Sequence, residues 1–403
     1  MSDLSGFLNE AQTLLPDAIA LRRRIHANPE LGLDLPETTQ AVLDSIKDLG
    51  LEIARGPSSS GVVALLRGGK SRGGRTILLR GDMDALPLGE DTGLEFASQV
   101  AGRMHACGHD AHTSMLVQAA RLLHRHRAEL SGNVKFMFQP GEEGFAGALR
   151  MIEDGIVESE PKPDAAFALH ISPNFKADII VGRPGPMMAS ADRWSIIVKG
   201  RGGHASAPQM AVDPIPVACE IVQALQTMVT RRIDAFDPVV LTCGQISAGT
   251  TNNIIPETAE MIGTLRSTSE HARKEALAGI ERVATNVAAA HLCEANVSIR
   301  QGYPVTVNDA QFVEFARAVA SDLIGPKRYM NLRVPLMGAE DFSYVLQRTQ
   351  GCLMFLGVWP DGHDQGEHVA PCHSNRMVLN ENSMAVGIAM HAAVATRFLE
   401  QGL

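Results

Sequence analysis

Apolar and polar residues follow two different periods along the chain. Mainly apolar runs, which are typical of buried strands, occur at 61–68, 75–84, 133–140 and 165–171. Apolar residues three and four positions apart, which are typical of helices, begin at Pro36 and at Thr113, a candidate N-cap. Strands that alternate with helices predict an α/β sheet covered on both faces.

The pattern changes near Gly182, where Gly, Pro and small residues become frequent. The segments that follow predict strand, helix, strand, strand, helix and strand, at 195–203, 213–232, 239–249, 259–267, 269–292 and 297–303. This order is typical of a ferredoxin-like fold. Because a helix, a strand and a helix of the first kind follow, we expect a mixed-sheet α/β/α domain of residues 1–183 and 301–403. A ferredoxin-like α+β domain of residues 184–300 is inserted into it.

Composition narrows the class of protein. Of 403 residues, 45% are apolar and 20% charged, the balance of a globular chain. The net charge of −9 and the 4% aromatic content make nucleic acid a poor candidate partner. We expect no membrane span, because no apolar run reaches about 18–20 residues. Acidic residues near the start, Asp3 and Glu10, are not typical of a signal peptide. Six cysteines in so long a chain do not indicate a disulfide framework. We therefore expect a cytoplasmic protein.

A cluster of histidines is the most informative chemical feature. Within the eight positions 105–112, five residues can bind a metal or a proton: His105, Cys107, His109, Asp110 and His112. Cys107 and His109 are two residues apart, and from an extended or looping backbone both side chains can reach one ion. Thiolate and imidazole suit zinc and its divalent neighbours. The alternative is a surface loop whose histidines have no shared function.

Carboxylates follow two of the predicted strands. Asp82 and Asp84 leave one strand end, where they can bind a cation or orient a ligand histidine, or can simply cap a turn. Glu142 and Glu143 follow another strand, where one can bind a metal while the other acts as a base. A solvated acidic loop is the alternative for this pair.

Two further histidines complete the set. His170 ends a strand, where a packed histidine is as common as a ligand, and His373 follows Cys372 near the end of the chain. Because a parallel α/β sheet brings the carboxyl ends of its strands together, these groups jointly favour metal-assisted hydrolysis.

Eight motifs occur in a familiar order: RGDMDALPLGE, MHACGHDAHT, FQPGEEGFAGA, ALHI, GGHASAP, TTNNIIP, MGAEDFSY and HSNR. From about Leu21 onward, the chain resembles the aminoacylase, hippurate hydrolase and carboxypeptidase family of dinuclear metallohydrolases. It is most similar to the branch of hippurate hydrolases and plant auxin-conjugate hydrolases.

The resemblance implies roles for individual residues. The ligands of two divalent ions (Zn, Mn, Co or Ni) would be Cys107, His109, Glu143, His170 and His373. Glu142 matches the general base that activates water, and Asp84 matches the carboxylate that supports a ligand histidine. Asp82 stands where peptidase-like members have a metal-ligating histidine, so its own contact with metal is left open.

The resemblance also assigns functions to the inserted domain, as a lid and a dimerisation domain. His204 matches a histidine that reaches the partner subunit's active site and stabilises the oxyanion, in a homodimer or a higher homo-oligomer. Asn253 and Arg266 match polar groups that hold the substrate. Without the resemblance, His204 is equally a solvated turn histidine and Arg266 a strand-surface residue.

These observations predict an amidohydrolase that splits an N-acyl amino acid, such as a hippurate-like or N-acetyl compound, into a carboxylic acid and an amino acid. A metallo-carboxypeptidase or dipeptidase acting on short peptides is the alternative. A cysteine hydrolase with Cys107 as nucleophile would leave the Glu pair, His170 and His373 without roles. A non-catalytic binding protein would not need Glu142.

Overall fold

The computed structural model describes residues 4–70, 73–363 and 368–403. The chain forms two compact units. The first comprises residues 1–185, 307–333 and 341–403, and the second comprises residues 186–306 and 334–340. The sequence pattern placed the corresponding changes at 183/184 and 300/301.

The first unit alternates helices and strands. In chain order up to the second unit, its elements are α1 (Ser5–Ala27), α2 (Pro36–Ile46), β1 (Glu52–Arg55), β2 (Val62–Arg67), β3 (Thr76–Asp82), α3 (His109–Arg125), β4 (Asn133–Gln139), α4 (Gly147–Glu153), β5 (Ala165–Ser172) and β6 (Ile180–Gly182). The chain continues with β7 (Gly185–Met188), β8 (Asp192–Lys199), β9 (Gly203–His204), α5 (Pro214–Arg232), β10 (Val239–Ala248), β11 (Ile254–Ile255), β12 (Thr258–Ser267), α6 (Glu270–Ala290), β13 (Glu294–Gln301) and β14 (Thr306–Asn308). The elements from β8 to β13 lie wholly in the second unit, whereas β7 and β14 cross the boundaries between the two units. The chain ends with α7 (Ala310–Ile324), β15 (Tyr329–Asn331), α8 (Ser343–Leu346), β16 (Gly351–Gly357) and α9 (Met384–Gln401).

One mixed sheet organises the first unit. Its strand order is β1-β2-β4-β3-β5-β16-β6-β15. The four central strands, β4, β3, β5 and β16, run parallel to one another, whereas β2 pairs antiparallel with β4. The carboxyl ends of the parallel strands therefore meet at one edge of the sheet, where α/β proteins place their chemistry.

The core explains why these segments form central strands. Every residue of β3, β4 and β16 is buried, so both faces of the sheet are covered. Helices α3, α7 and α9 contact the strands, and α1 packs on α3 and α9. Continuous apolar runs are what such doubly covered strands require, which is why they were recognisable in the sequence. The α/β architecture expected from the sequence is confirmed.

The second unit is an antiparallel sheet packed on two helices. The strand order is β10-β12-β8-β13, and the chain order of the main elements is β8, α5, β10, β12, α6 and β13. This is the ferredoxin-like arrangement. Along β12, buried and exposed residues alternate, because one face of the sheet packs on α5 and α6.

The second unit is longer than the sequence pattern indicated. Gly302 donates its backbone N–H to the carboxylate of Asp192, and Val305 donates to Glu270, so residues after 300 belong with this unit. Leu336 joins it through backbone hydrogen bonds to Met187 and Ala189. Among the described residues, no helix is long and apolar enough to cross a membrane.

Candidate active site

A tight turn leads into α3 and positions the first two predicted ligands. Gly108, the N-cap of α3, has a φ of 83°. A Cβ atom at this position would lie 2.6 Å from Cγ1 of Ile171, so both the conformation and the packing require glycine. Cys107 precedes this turn, and His109 is the first residue of the helix.

The helix starts four residues earlier than the sequence suggested. Thr113 is not its N-cap; it lies inside α3, and its hydroxyl donates to the backbone carbonyl of Asp82. The early start places His109 and His112 in the first turn of the helix, on the sheet side. Nδ1 of His109 donates to the Asp84 carbonyl at 2.8 Å. Its Nε2 is buried without a hydrogen-bond partner, as a nitrogen reserved for a metal would be.

His170 faces Cys107 from the end of β5. Its Nδ1 donates to the carbonyl of Ile171 at 2.6 Å, which leaves Nε2 free to bind, 3.4 Å from Sγ of Cys107. Burial holds the pKa of His170 well below its usual value, so the ring is neutral, the form that ligates metals.

The Glu142–Glu143 pair is held by Asp84. Gly141 turns the chain after β4 with a φ of 71°. The Asp84 carboxylate, which is 1% exposed, accepts the backbone N–H of Glu142 at 2.9 Å and that of Glu143 at 3.0 Å. Asp84 therefore positions the glutamate pair through its carboxylate and His109 through its carbonyl. From the sequence, Asp84 was expected to support only a ligand histidine.

His373 completes the cluster from the far end of the chain. Its backbone N–H donates to the carbonyl of Ala106 at 2.8 Å, and its φ of 70° is left-handed. Nε2 of His373 lies 3.1 Å from Oε1 of Glu143. The contact with Glu143 raises the pKa of His373.

The five predicted ligand residues come together as two overlapping groups. Cys107, His109 and His170 form one group, and Cys107, Glu143 and His373 form the other, each with its ligand atoms within 4.8 Å of one another. His109 also lies within this distance of Glu142 and Glu143. Sulfur, nitrogen and carboxylate donors around a shared cysteine suit two adjacent divalent ions. Together with the unpartnered nitrogen of His109, this donor set fits the metals.

Charge in the cluster favours cations. Burial alone would lower the pKa of His109, but the charge of Asp82 outweighs it and, with Asp84 and Glu143, raises the pKa to about 10. An excess of buried carboxylate therefore surrounds the ligand atoms, and a divalent ion would satisfy it.

A pair of thiols lies beside the cluster. A hydrogen bond between them raises the pKa of Cys107, which burial raises further, and lowers the pKa of Cys372. Sγ of Cys372 lies 4.0 Å from the Cys107 carbonyl oxygen. No role was expected for Cys372 from the sequence.

His112 and Arg80 were also without assigned roles. Nδ1 of His112 donates to Oδ1 of Asp82 at 2.5 Å, and its Nε2 accepts the N–H of Ile171. Arg80 donates to Oδ2 of Asp82 at 2.6 Å. Asp82 therefore already has protein partners on both oxygens, while Oδ2 also lies 3.4 Å from His109 Nε2.

A buried polar network extends this arrangement beneath the glutamate turn. Gln139 donates to both oxygens of Asp341 and accepts from Arg80. Asp341 also accepts the backbone N–H of Ala148, at the start of α4. The network fixes the end of β4, from which Glu142 follows. The motif MGAEDFSY contained Asp341, but no spacing connected it to Arg80.

In the second unit, His204 and Asn253 meet at a small two-stranded ribbon. His204 in β9 pairs with Ile254 in β11, and the N–H of Ala205 donates to the carbonyl of Asn253. Both line a cavity of about 680 Å³, formed with Arg201, Gly202, Gly203 and residues 254–257. Arg266, on β12, is not among the lining residues.

The His204 ring has a defined orientation. Its Nδ1 accepts from the backbone N–H of Ser206 at 3.1 Å and lies 2.7 Å from the Ser206 hydroxyl. The proton is therefore on Nε2, which is available as a hydrogen-bond donor on an exposed ring.

Comparisons with known proteins agree with this arrangement. The family model described as peptidase family M20/M25/M40 matches residues 78–397. The chain is 36% identical to thermostable carboxypeptidase 2 of Saccharolobus solfataricus over 394 residues, 97% of each protein. It is 36% identical to hippurate hydrolase of Campylobacter jejuni over 380 residues, 94% of this chain and 96% of that protein.

A solved structure gives the same relationship. The Bacillus subtilis YXEP protein, described as a dinuclear metal binding peptidase, matches with a TM-score of 0.82 and 32% identity, over 96% of this chain and 99% of that one. The resemblance inferred from the motifs is confirmed. The two groups of side chains around Cys107 have the donor atoms that the two expected metal ions require.

Proposed function

Because the chain belongs to peptidase family M20/M25/M40, we propose that it is a metal-dependent amidohydrolase acting on N-acyl amino acids. The products are a carboxylic acid and a free amino acid. The observation that carries the proposal is the cluster of Cys107 with four further candidate ligand side chains, which has Glu142 beside it. Similarity to a hippurate hydrolase along almost the whole chain supports this substrate class.

Two ions would share Cys107. His109 and His170 would complete one position, and Glu143 and His373 the other. When bound, two divalent ions polarise an amide carbonyl and lower the pKa of a water molecule toward about 7.

Glu142 is the proposed general base. Its carboxylate accepts a proton from the attacking water and donates it to the amide nitrogen as the C–N bond breaks. Its buried position and the Asp84 hydrogen bond to its backbone N–H hold it in place. Positioned general bases contribute about 100- to 10,000-fold in rate.

His204 is proposed as an oxyanion donor that acts across a homodimer. Its Nε2–H, fixed by Ser206, can donate to a developing negative charge, a contribution of about 100- to 1,000-fold. Asn253, on the same cavity, would contact the substrate. The roles of Arg266 and the cytoplasmic location stay predictions.

A mixing experiment tests the action in trans. His204→Ala and Glu142→Ala should each be almost inactive. When dimers of the two variants exchange, hybrids should regain activity, because one site then combines Glu142 from one chain with His204 from the other. Exchange without recovery, or a fully active monomer, would refute the trans role.

The substrate class is tested with a panel of compounds. N-acetyl, N-benzoyl and indole-acyl amino acids are assayed beside short peptides with a free amino terminus, each with several divalent metals. Similarity to a thermostable carboxypeptidase favours cleavage of short peptides as the second candidate function. Turnover of the peptides without turnover of any N-acyl amino acid would select that alternative.

A further inference from the structure

Cys372 lies beside a proposed metal ligand without belonging to either ligand group. Its Sγ lies 4.0 Å from the backbone carbonyl oxygen of Cys107. The two segments are held together by the hydrogen bond from His373 N to the Ala106 carbonyl, at 2.8 Å. This backbone hydrogen bond joins the residues next to Cys107 and Cys372, so the two cysteines lie side by side on neighbouring segments.

The two thiols differ in access. Cys107 is 7% exposed, whereas Cys372 is half-buried. A small oxidant therefore reaches Cys372 first, and the oxidised side chain lies beside Cys107, whose thiol can react with it. This order is typical of a cysteine with a resolving partner.

We propose that Cys107 and Cys372 form a reversible disulfide that competes with metal binding at this site. The oxidant is a hydroperoxide. The Cys372 sulfur attacks the peroxide oxygen, which releases an alcohol or water and leaves a sulfenic acid. The Cys107 sulfur then attacks Cys372, and water leaves as the S–S bond forms. Two thiols are oxidised and one hydroperoxide is reduced.

Oxidation of Cys107 would affect both metal positions, because Cys107 belongs to both ligand groups. A disulfide requires the two sulfur atoms at about 2 Å and removes the thiolate that both ligand groups use. Bound metal would in turn occupy that thiolate and protect it from oxidation. The inference goes beyond the proposed function and rests only on its assignment of Cys107 as a ligand.

The test is peptide mapping of the full-length protein. Metal-free and zinc-loaded samples are treated with hydrogen peroxide, alkylated without reduction and cleaved after Lys, Arg and Glu. Cys107 then lies within 104–121 and Cys372 within 368–376, separated from Cys352. Zinc binding is measured before treatment, after it, and again after a dithiol is added.

We expect a linked pair of these peptides in the metal-free protein, at least a tenfold lower yield in the zinc-loaded protein, and recovery of zinc binding after the dithiol. Cys372→Ser should form no link. Its zinc binding should not recover after the dithiol, because Cys107 would then be overoxidised. The exposed Cys219→Ser is the matched control and should behave like the unaltered protein.

Three results would overturn the proposal: no 107–372 link, equal linkage with and without zinc, or equal recovery by Cys372→Ser. Neither readout uses substrate, so the outcome is independent of hydrolysis. Zinc binding with no turnover of any amide would refute the proposed function and leave the disulfide intact. Thermal unfolding of Cys372→Ser checks that the variant is folded.

Discussion

The Asp84 carboxylate provides a test of how the site is positioned. It accepts the backbone N–H groups of Glu142 and Glu143 at 2.9 and 3.0 Å. In Asp84→Asn, one oxygen still accepts a hydrogen bond, but the new NH₂ group faces the other N–H. The weakened bond costs about 1 kcal/mol and the unsatisfied buried donor about 2 kcal/mol. The glutamate turn is therefore destabilised by about 3 kcal/mol.

This cost has two measurable consequences. If most of this free-energy cost displaces Glu143, the affinity for zinc falls by about 10- to 100-fold. Calorimetry or competition with a chelating dye measures this change. Displacement of Glu142 by about 1 Å lowers kcat by a further factor of roughly 100. Asp192→Asn is the matched control, because Asp192 is a buried carboxylate that accepts a backbone N–H in the second unit.

The control should lose stability in urea without losing zinc affinity. The reasoning is refuted if Asp84→Asn is destabilised like the control but keeps both its zinc affinity and its kcat.

The remaining predictions concern single side chains. Glu142→Gln should retain both metals and lose hydrolysis by about 100- to 10,000-fold, whereas Glu143→Gln should mainly weaken metal binding; calorimetry and kinetics showing the reverse would exchange their roles. Cys107→Ser should lower metal affinity, and mass spectrometry of the unaltered protein during turnover should find no acyl group on Cys107, since finding one would support a cysteine nucleophile. Burial lowers the pKa of His26, but its contact with Asp110 outweighs this and raises the pKa to about 9. The stability this group contributes is thus present below pH 6.5 and lost as the pH rises through 9, by up to ~3 kcal/mol. Urea unfolding of His26→Gln should lack this decline, and an equal decline in the variant would contradict the assignment.

The central strands were predictable because their environment leaves a simple pattern. β3 and β4 are buried on both faces, consist mainly of apolar residues and end in polar residues. Parallel pairing then brings those polar ends to one edge of the sheet. This predicted the approximate location of the ligands but no distance between their ligand atoms.

The start of α3 depended on tertiary structure. Cys107-Gly108-His109 reads locally as a loop, and only the left-handed Gly108 and the docking of His109 on Asp84 make His109 helical. The same holds for residues 334–340, which join the second unit through backbone hydrogen bonds to a distant segment. Such pairings leave no periodic signal.

The supporting residues were hidden for a related reason. Arg80 and Asp341 are 261 positions apart and meet only in the folded protein. Cys372 looked like an isolated cysteine, and its contact with Cys107 depends on the hydrogen bond between His373 and Ala106. Residue types that ligate metals can be recognised in a sequence. The residues that orient them can be recognised only when the folded structure shows their hydrogen-bond partners.

The most direct test of the account is metal analysis combined with activity on N-benzoylglycine. Purified protein should contain about two divalent ions per chain, lose hydrolysis when a chelator removes them, and regain it when zinc, manganese, cobalt or nickel is returned. Protein that contains no divalent ion and is fully active in chelator would contradict the central claim.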